Sequence, residues 1–303
     1  MIVFYYTDID NLERILASTS RGNQRLVLKA KHRCYLNDDA QRTFGRYLLP
    51  SCISSIEAEL GVDSTKAVAP LVMNPDYLSF VLESINSYND HKQGIESFVL
   101  SFSEDQDNAE LWRRNANNGR GIAIGFDTAC LQPDYEHFIN VYGEKCCYWS
   151  ENIKSSNFRL SSDSKLYASI LETYKLMSNP RVVDSFNVIY GQNGPDFASQ
   201  CIKDTLVANL ITTYDVFHKQ DIWQNEKEYR ISLSSMPVDV EFVKDENGDY
   251  FPYANVTFPV SALRMIVAGP KVGKNAYGMI KSLLMRKGVS QDVVVLYSAV
   301  KEL

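Results

Sequence analysis

Trp223-Gln224-Asn225-Glu226-Lys227-Glu228-Tyr229-Arg230-Ile231-Ser232-Leu233 is the most informative stretch of this chain. From Tyr229 onward its side chains alternate, with Tyr229, Ile231 and Leu233 on one face, which is the period of a β-strand. A strand begun at Glu226 would carry Glu226, Glu228, Arg230 and Ser232 on its other face, the two carboxylates roughly 7 Å apart. Alternation leaves two settings open for that polar face, a solvated surface and a polar cleft. A solvated surface is the ordinary expectation.

Strands dominate around and after this stretch. Asn255–Phe258, Met265–Ala268 and Val293–Ser298 read as strands, and a helix over Ala276–Lys287, ended by Gly288, lies between the last two. At the other end of the chain, residues 2–7 form a strand leading into a helix. Asp10 is the expected N-cap there, with Glu13 as its capping-box partner and Leu12, Ile15 and Leu16 as the apolar stripe. A second strand is expected over Cys34–Leu36, closed by the turn cluster Asn37-Asp38-Asp39. The pattern is then helical to about residue 90, interrupted at Pro50, Pro70 and Pro75.

Ser97–Phe102 is the next expected strand, followed by an acidic turn and a short helix holding Leu111 and Trp112. Asn117-Asn118-Gly119 ends that helix, and Gly121–Phe126 forms another strand. Residues 150–196 are rich in Ser and Asn, with a helix near Leu166–Met177 and a loop at Gly191–Pro195. A long helix capped by Asp196 is expected to run to His218. No repeat or linker divides the chain. The expected architecture is α+β, one domain over residues 1–303 with a central split β-sheet and mainly helical insertions at about 40–95 and 160–220.

The 303 residues are 45% hydrophobic and 22% charged, a composition that excludes a disordered chain, a fibrous repeat and a disulfide-dense miniprotein. Net charge is −6, from 31 basic and 37 acidic residues, so strong non-specific nucleic-acid binding is not expected. No apolar run approaches the 18 or so residues of a membrane helix, and no membrane partner is expected. The N-terminus lacks the basic region of a signal peptide and reaches Asp8 early. Cysteines 34, 52, 130, 146, 147 and 201 contain no Cys-x-x-Cys pair and are expected to be reduced thiols of a cytoplasmic protein.

Several familiar chemistries lack their residues. His32-x-Cys34 is the only tight His/Cys pair among four histidines, where a closed zinc site needs a second, so packing roles are expected. Gly269-Pro270-Lys271-Val272-Gly273-Lys274 is one residue short of a phosphate loop, and Asn275 stands where Ser or Thr would bind magnesium. A strand-to-helix turn accounts for its glycines. No Gly-x-Ser-x-Gly elbow occurs.

The order of short motifs carries a resemblance. Phe4-Tyr5-Tyr6-Thr7, Leu36-Asn37-Asp38, Ser101-Phe102-Ser103, Leu111-Trp112, Gly125-Phe126-Asp127 and Trp223-x-x-Glu226-x-Glu228-Tyr229-Arg230 follow one another along the chain. This order resembles a widespread bacterial domain-of-unknown-function family whose members read Y-H-Y-T, L-N-D, F-S, L-W, G-F-D and W-x-x-E-x-E-Y-R. More distantly, Tyr6-Thr7-Asp8-Ile9-Asp10-Asn11-Leu12-Glu13-Arg14-Ile15-Leu16 is similar to the opening of DNA ADP-ribosyltransferase toxins of the DarT type.

That second likeness implies an ADP-ribosyltransferase-like enzyme with NAD as substrate, a toxin or defence effector with an acceptor macromolecule of unknown identity. ADP-ribosyltransferases carry a first-strand His or Arg, a second strand with Ser or Tyr, and a late strand opening with Glu. Here Tyr6 and Thr7 fall in the first element, Ser101 and Ser103 in the second, and Glu226 and Glu228 in the third; the first element holds tyrosines in place of His or Arg. The resemblance makes Glu228 the catalytic carboxylate and Glu226 the group that positions or activates the acceptor. Tyr6, Thr7, Ser101 and Ser103 then bind the nucleotide, and Trp112 or Trp223 stacks on nicotinamide. The alternatives are a non-catalytic interaction or nucleotide-sensing module on the same fold, and, against the acidic balance, a metal-dependent nuclease built on Asp38, Glu226 and Glu228.

Overall fold

The computed structural model describes residues 1–17, 19–20, 23–36, 48–90, 96–132, 138–149, 165–235, 240–244, 248–289, 292–301 and 303. The fold is α+β. Its strands are β1 (Ile2–Thr7), β2 (Thr19–Ser20), β3 (Asn23–His32), β4 (Glu96–Ser103), β5 (Ile122–Asp127), β6 (Phe138–Lys145), β7 (Cys147–Trp149), β8 (His218–Gln220), β9 (Glu228–Ser235), β10 (Val240–Lys244), β11 (Tyr250–Pro259), β12 (Leu263–Ala268) and β13 (Val294–Tyr297). The chain forms two compact units. One is built from Met1–Tyr35, Phe98–Lys145 and Trp223–Leu303, the other from Leu36–Ser97 and Cys146–Ile222.

An 11-stranded sheet organises the first unit, with a main order β10-β11-β3-β4-β1-β5-β12-β13. Strand β4 pairs β3 at Lys31–Val99 and His32–Phe98, pairs β1 at Phe4–Ser103, and also pairs β9, which continues to β6. A strand has two edges, so three partners require the sheet to split at β4. The expected central split sheet is therefore present. Alternation assigns side chains to opposite faces. Val3, Phe98, Leu100, Phe102, Ile122, Ile124, Phe126, Ile231, Leu233 and Ile266 enter one core cluster, while Phe4, Tyr6, Ala123 and Val267 join Leu111, Trp112 and Ala116 in another. Strands β12 and β13 are parallel and joined through the helix Ala276–Arg286. Gly269-Pro270-Lys271-Val272-Gly273-Lys274 is the strand-to-helix turn of that unit.

Helices make up most of the second unit: Leu49–Leu60, Ala69–Val72, Pro75–Asp90, Lys165–Met177, Pro180–Tyr190 and Pro195–Tyr214. Prolines 50, 70 and 75 sit in the first turns of helices, where the missing N–H has no partner to lose. Glu57 accepts from the amides of Val68 and Ala69 and from the Tyr174 hydroxyl at 2.7 Å, and Tyr77 donates to Asp204 at 2.6 Å. These bonds join helices that are distant in sequence. Among the described residues no helix is long and apolar enough to cross a membrane, and no group of His, Cys, Asp or Glu could hold a metal ion.

Several local expectations are corrected. Asp10 has helical backbone angles and its side chain caps nothing; Leu12 and Ile15, buried in the core, carry that short helix instead. Arg33–Tyr35 is a 3-10 turn, and the strand lies earlier, at Asn23–His32, where Leu26, Leu28 and Ala30 face the core. Asn37, Asp38 and Asp39 lie outside the described residues. The long helix starts at Pro195 after Gly194 and stops at Tyr214, so His218 belongs to β8, parallel to β7. The helix Pro180–Tyr190 went unread because none of its residues is buried.

Candidate functional site

The strands carrying the three sequence elements are neighbours: β4 pairs both β1 and β9. The structure joins their ends in one network of hydrogen bonds. Tyr6 donates its hydroxyl to the Asp105 carbonyl at 2.7 Å and accepts the Asn108 amide at 2.9 Å. Burial pushes the Tyr6 phenol well above its ordinary pKa, so it stays protonated and able to donate. Ser103 donates to the Glu226 carbonyl at 2.6 Å and accepts from the Asp105 amide at 3.0 Å. The Glu104 amide donates to the Lys227 carbonyl at 2.9 Å.

Asn108 links this knot to the helix Ala109–Asn115. Its side-chain oxygen caps the amides of Glu110 and Leu111, and its Nδ2 donates to the Asn225 carbonyl at 2.7 Å. Trp112 is fully buried, with its ring 4.8 Å from that of Tyr6, and its indole N–H donates to Asp107 at 2.6 Å. Asp107 also accepts from the Ser298 hydroxyl and the Ala299 amide. Thr7 accepts from Asn11 Nδ2 at 2.8 Å, and Ser101 is exposed on β4. The polar atoms of Tyr6, Ser103 and Trp112 are thus engaged within the protein.

The two glutamates occupy different settings. Glu226 ends a 3-10 turn (Asp221–Glu226), and Lys227 adopts a left-handed φ of 44° that redirects the chain before β9 begins at Glu228. Glu226 is therefore not on the strand, and the expected shared face of the two carboxylates is corrected: a left-handed residue between them breaks the alternation. Arg114 reaches the Glu226 carboxylate at 2.8 Å while its guanidinium lies 4.5 Å from the Trp223 ring centre. Trp223 therefore sits beneath an arginine.

Glu228 opens β9 and is followed on the same face by Arg230, Ser232 and Ser234. All four are buried, at 6%, 2%, 2% and 8% exposure. This corrects the solvated face expected from the pattern. Arg230 grips Glu228 in a two-point fork, Nε to Oε1 at 2.8 Å and Nη2 to Oε2 at 3.0 Å. On the paired strand β6, Glu144 lies opposite Arg230 and Tyr142 opposite Ser232. The Ser232 hydroxyl has no hydrogen-bond partner among the described residues, although a buried polar atom left unsatisfied is costly.

Sequence reasoning missed Asn108, Asp107 and Arg114. Asn108 was readable as a helix cap ahead of Glu110 and Leu111. Arg114 carried no signal, because its partner Glu226 lies far along the chain. His32 packs edge-on against Tyr35 and Phe98, and Cys52, Cys130 and Cys201 are free thiols.

Residues 111–231 match a family described as "Protein of unknown function (DUF2971)". The match bears out the likeness to a domain-of-unknown-function family over Leu111-Trp112, Gly125-Phe126-Asp127 and Trp223 through Arg230. No curated protein and no solved structure matches the chain.

Proposed function

We propose that this protein is an ADP-ribosyltransferase-like enzyme of the cytoplasm that breaks the nicotinamide–ribose bond of NAD and passes ADP-ribose to an acceptor. One observation carries the reading. The first-strand, serine-strand and glutamate-strand elements that the resemblance implies lie on β1, β4 and β9, and β4 pairs with both of the others. Cleavage of that bond develops positive charge on the ribose, as in glycoside cleavage, and a fixed carboxylate stabilises it. Glu228 has that role, and Glu226, held by Arg114, serves the acceptor side. The exposed Ser101 offers a hydroxyl to the nucleotide. Tyr6, Thr7, Ser103 and Trp112 contribute by shaping the turns that bring the three strand ends together.

Incubation with labelled NAD, alone and with lysate protein, DNA or RNA, tests the proposal. Release of free nicotinamide with label on one acceptor class is the expected result, and no nicotinamide release under any of these conditions refutes it. A second reading, a module that binds a nucleotide without turnover, draws on the fork itself, since both Glu228 oxygens already accept from Arg230. That reading expects NAD to raise the melting temperature by mass action while nicotinamide release stays at background.

A further inference from the structure

We propose that Arg230 is the positioning residue of the candidate centre, holding the Glu228 carboxylate charged and fixed in orientation. The inference rests on the enzyme reading above and deepens it. The two residues are neighbours on one face of β9, both almost fully buried, and joined through both carboxylate oxygens. A single contact would let the carboxylate turn about its last bond. A two-point guanidinium fork removes that freedom, and a lysine ammonium does not reproduce it.

Stability alone is a poor reason for such a pair, because a buried ion pair often stabilises no more than apolar residues of similar volume. The opposite face of the same strand is apolar, with Ile231 and Leu233 in the core, so the strand readily accommodates that alternative. The polar row also continues past the pair to Ser232, whose hydroxyl has no bond among the described residues. A row that is buried, charged and polar beyond the needs of its own ion pair has the character of a prepared site. Within it Arg230 acts through Glu228 and needs no contact with the substrate.

The test uses the full chain with Arg230→Lys, Arg230→Gln, Glu228→Gln and the double variant Glu228→Gln/Arg230→Gln. Nicotinamide release is measured against NAD concentration, and each variant's melting curve supplies its folded fraction. Arg230→Lys is expected to lower kcat per folded molecule by about 10–100-fold, the usual loss when a group orienting a reacting residue is removed, with KM for NAD unchanged. The double variant is expected to turn over no more slowly than Glu228→Gln, because residues acting as one unit are non-additive. It also removes both charges of the pair together, so it supplies the comparison if Arg230→Gln alone does not fold.

Wild-type kcat in Arg230→Lys, or a double variant slower than Glu228→Gln by the full Arg230→Gln factor, overturns the inference while leaving the enzyme reading standing. A lower melting temperature with unchanged kcat per folded molecule does the same and makes Arg230 purely structural. A wild-type protein that releases no nicotinamide overturns both.

Discussion

Glu228→Gln perturbs folding and chemistry together, and the structure separates the two magnitudes. Glu228 and Arg230 are 6% and 2% exposed and joined at 2.8 and 3.0 Å. Glutamine keeps one acceptor oxygen for the fork but removes the negative charge that this oxygen pair presents to the buried guanidinium. Removing one partner of a buried pair costs about 3–5 kcal/mol, and the retained acceptor puts this case near about 3 kcal/mol. For a domain of this size that corresponds to a melting temperature lower by about 6–12 °C. Removing both charges, as in Glu228→Gln/Arg230→Gln, is expected to recover most of the loss. On the chemical side, loss of one preorganised electrostatic contact lowers NAD turnover by about 10²–10³. Differential scanning calorimetry and nicotinamide release on the same preparations measure both. A Glu228→Gln protein that melts with the wild type, or a double variant no more stable than the single, refutes the argument from burial. Full turnover in Glu228→Gln refutes the assignment of the carboxylate.

Four further outcomes follow from local geometry. Gly121→Ala drives a methyl into the Thr7 carbonyl oxygen and is expected to prevent or strongly destabilise folding, whereas Gly273→Ala, with nothing within 4 Å, leaves the melting temperature unchanged. Trp112→Phe keeps an aromatic ring but loses the bond to Asp107 and leaves a cavity where the fully buried indole was, and denaturant titration should register at least about 1.5–3 kcal/mol, the cost of a bond to a charged group alone. Asp127 is held below the usual carboxylate pKa first by the Ala129 amide and then by Arg264 and the N-terminal ammonium. Its contribution is full above the ordinary Asp pKa and lost as pH falls through the lowered one, so in melting curves Asp127→Asn should reduce stability at pH 7, by less and less as the pH is lowered through the acid range. Ser232→Ala removes a buried hydroxyl without a partner among the described residues; it should leave stability equal or raised in melting curves, and a clear loss of stability refutes the reading that this hydroxyl is unsatisfied.

What could be read from the sequence divides by the range of the interaction involved. Strands β1, β4, β5 and β12 and the helix Ala109–Asn115 follow from local alternation, apolar runs and caps, and they lie where the pattern put them. The strand Asn23–His32 also alternates, but its lysines disguise a face that the core accepts through Leu26, Leu28 and Ala30. The break between Glu226 and Glu228 had no local sign, because the left-handed residue is a lysine where glycine is the usual mark. Burial of the polar face of β9 is decided by distant segments. Alternation reports that two faces differ; it does not report which of them meets water.

The same distinction governs how the candidate site is built. Tyr6, Ser103 and Trp112 were singled out for chemistry, yet each spends its polar atoms on neighbouring turns: Tyr6 on Asp105 and Asn108, Ser103 on Glu226 and Asp105, Trp112 on Asp107. A hydroxyl that both donates and accepts within the scaffold cannot change partners without cost, so these side chains are suited to fixing backbone. What they fix is the approach of the segment 225–228 to the end of β4, and hence the point at which β9 begins. Because β9 begins at Glu228, its alternation carries Glu228, Arg230 and Ser232 onto one face. A start one residue earlier or later would put Tyr229 and Ile231 there instead. The knot at the strand ends thus sets the register of the polar row, which gives residues far from any substrate a direct physical hold on the geometry of Glu228.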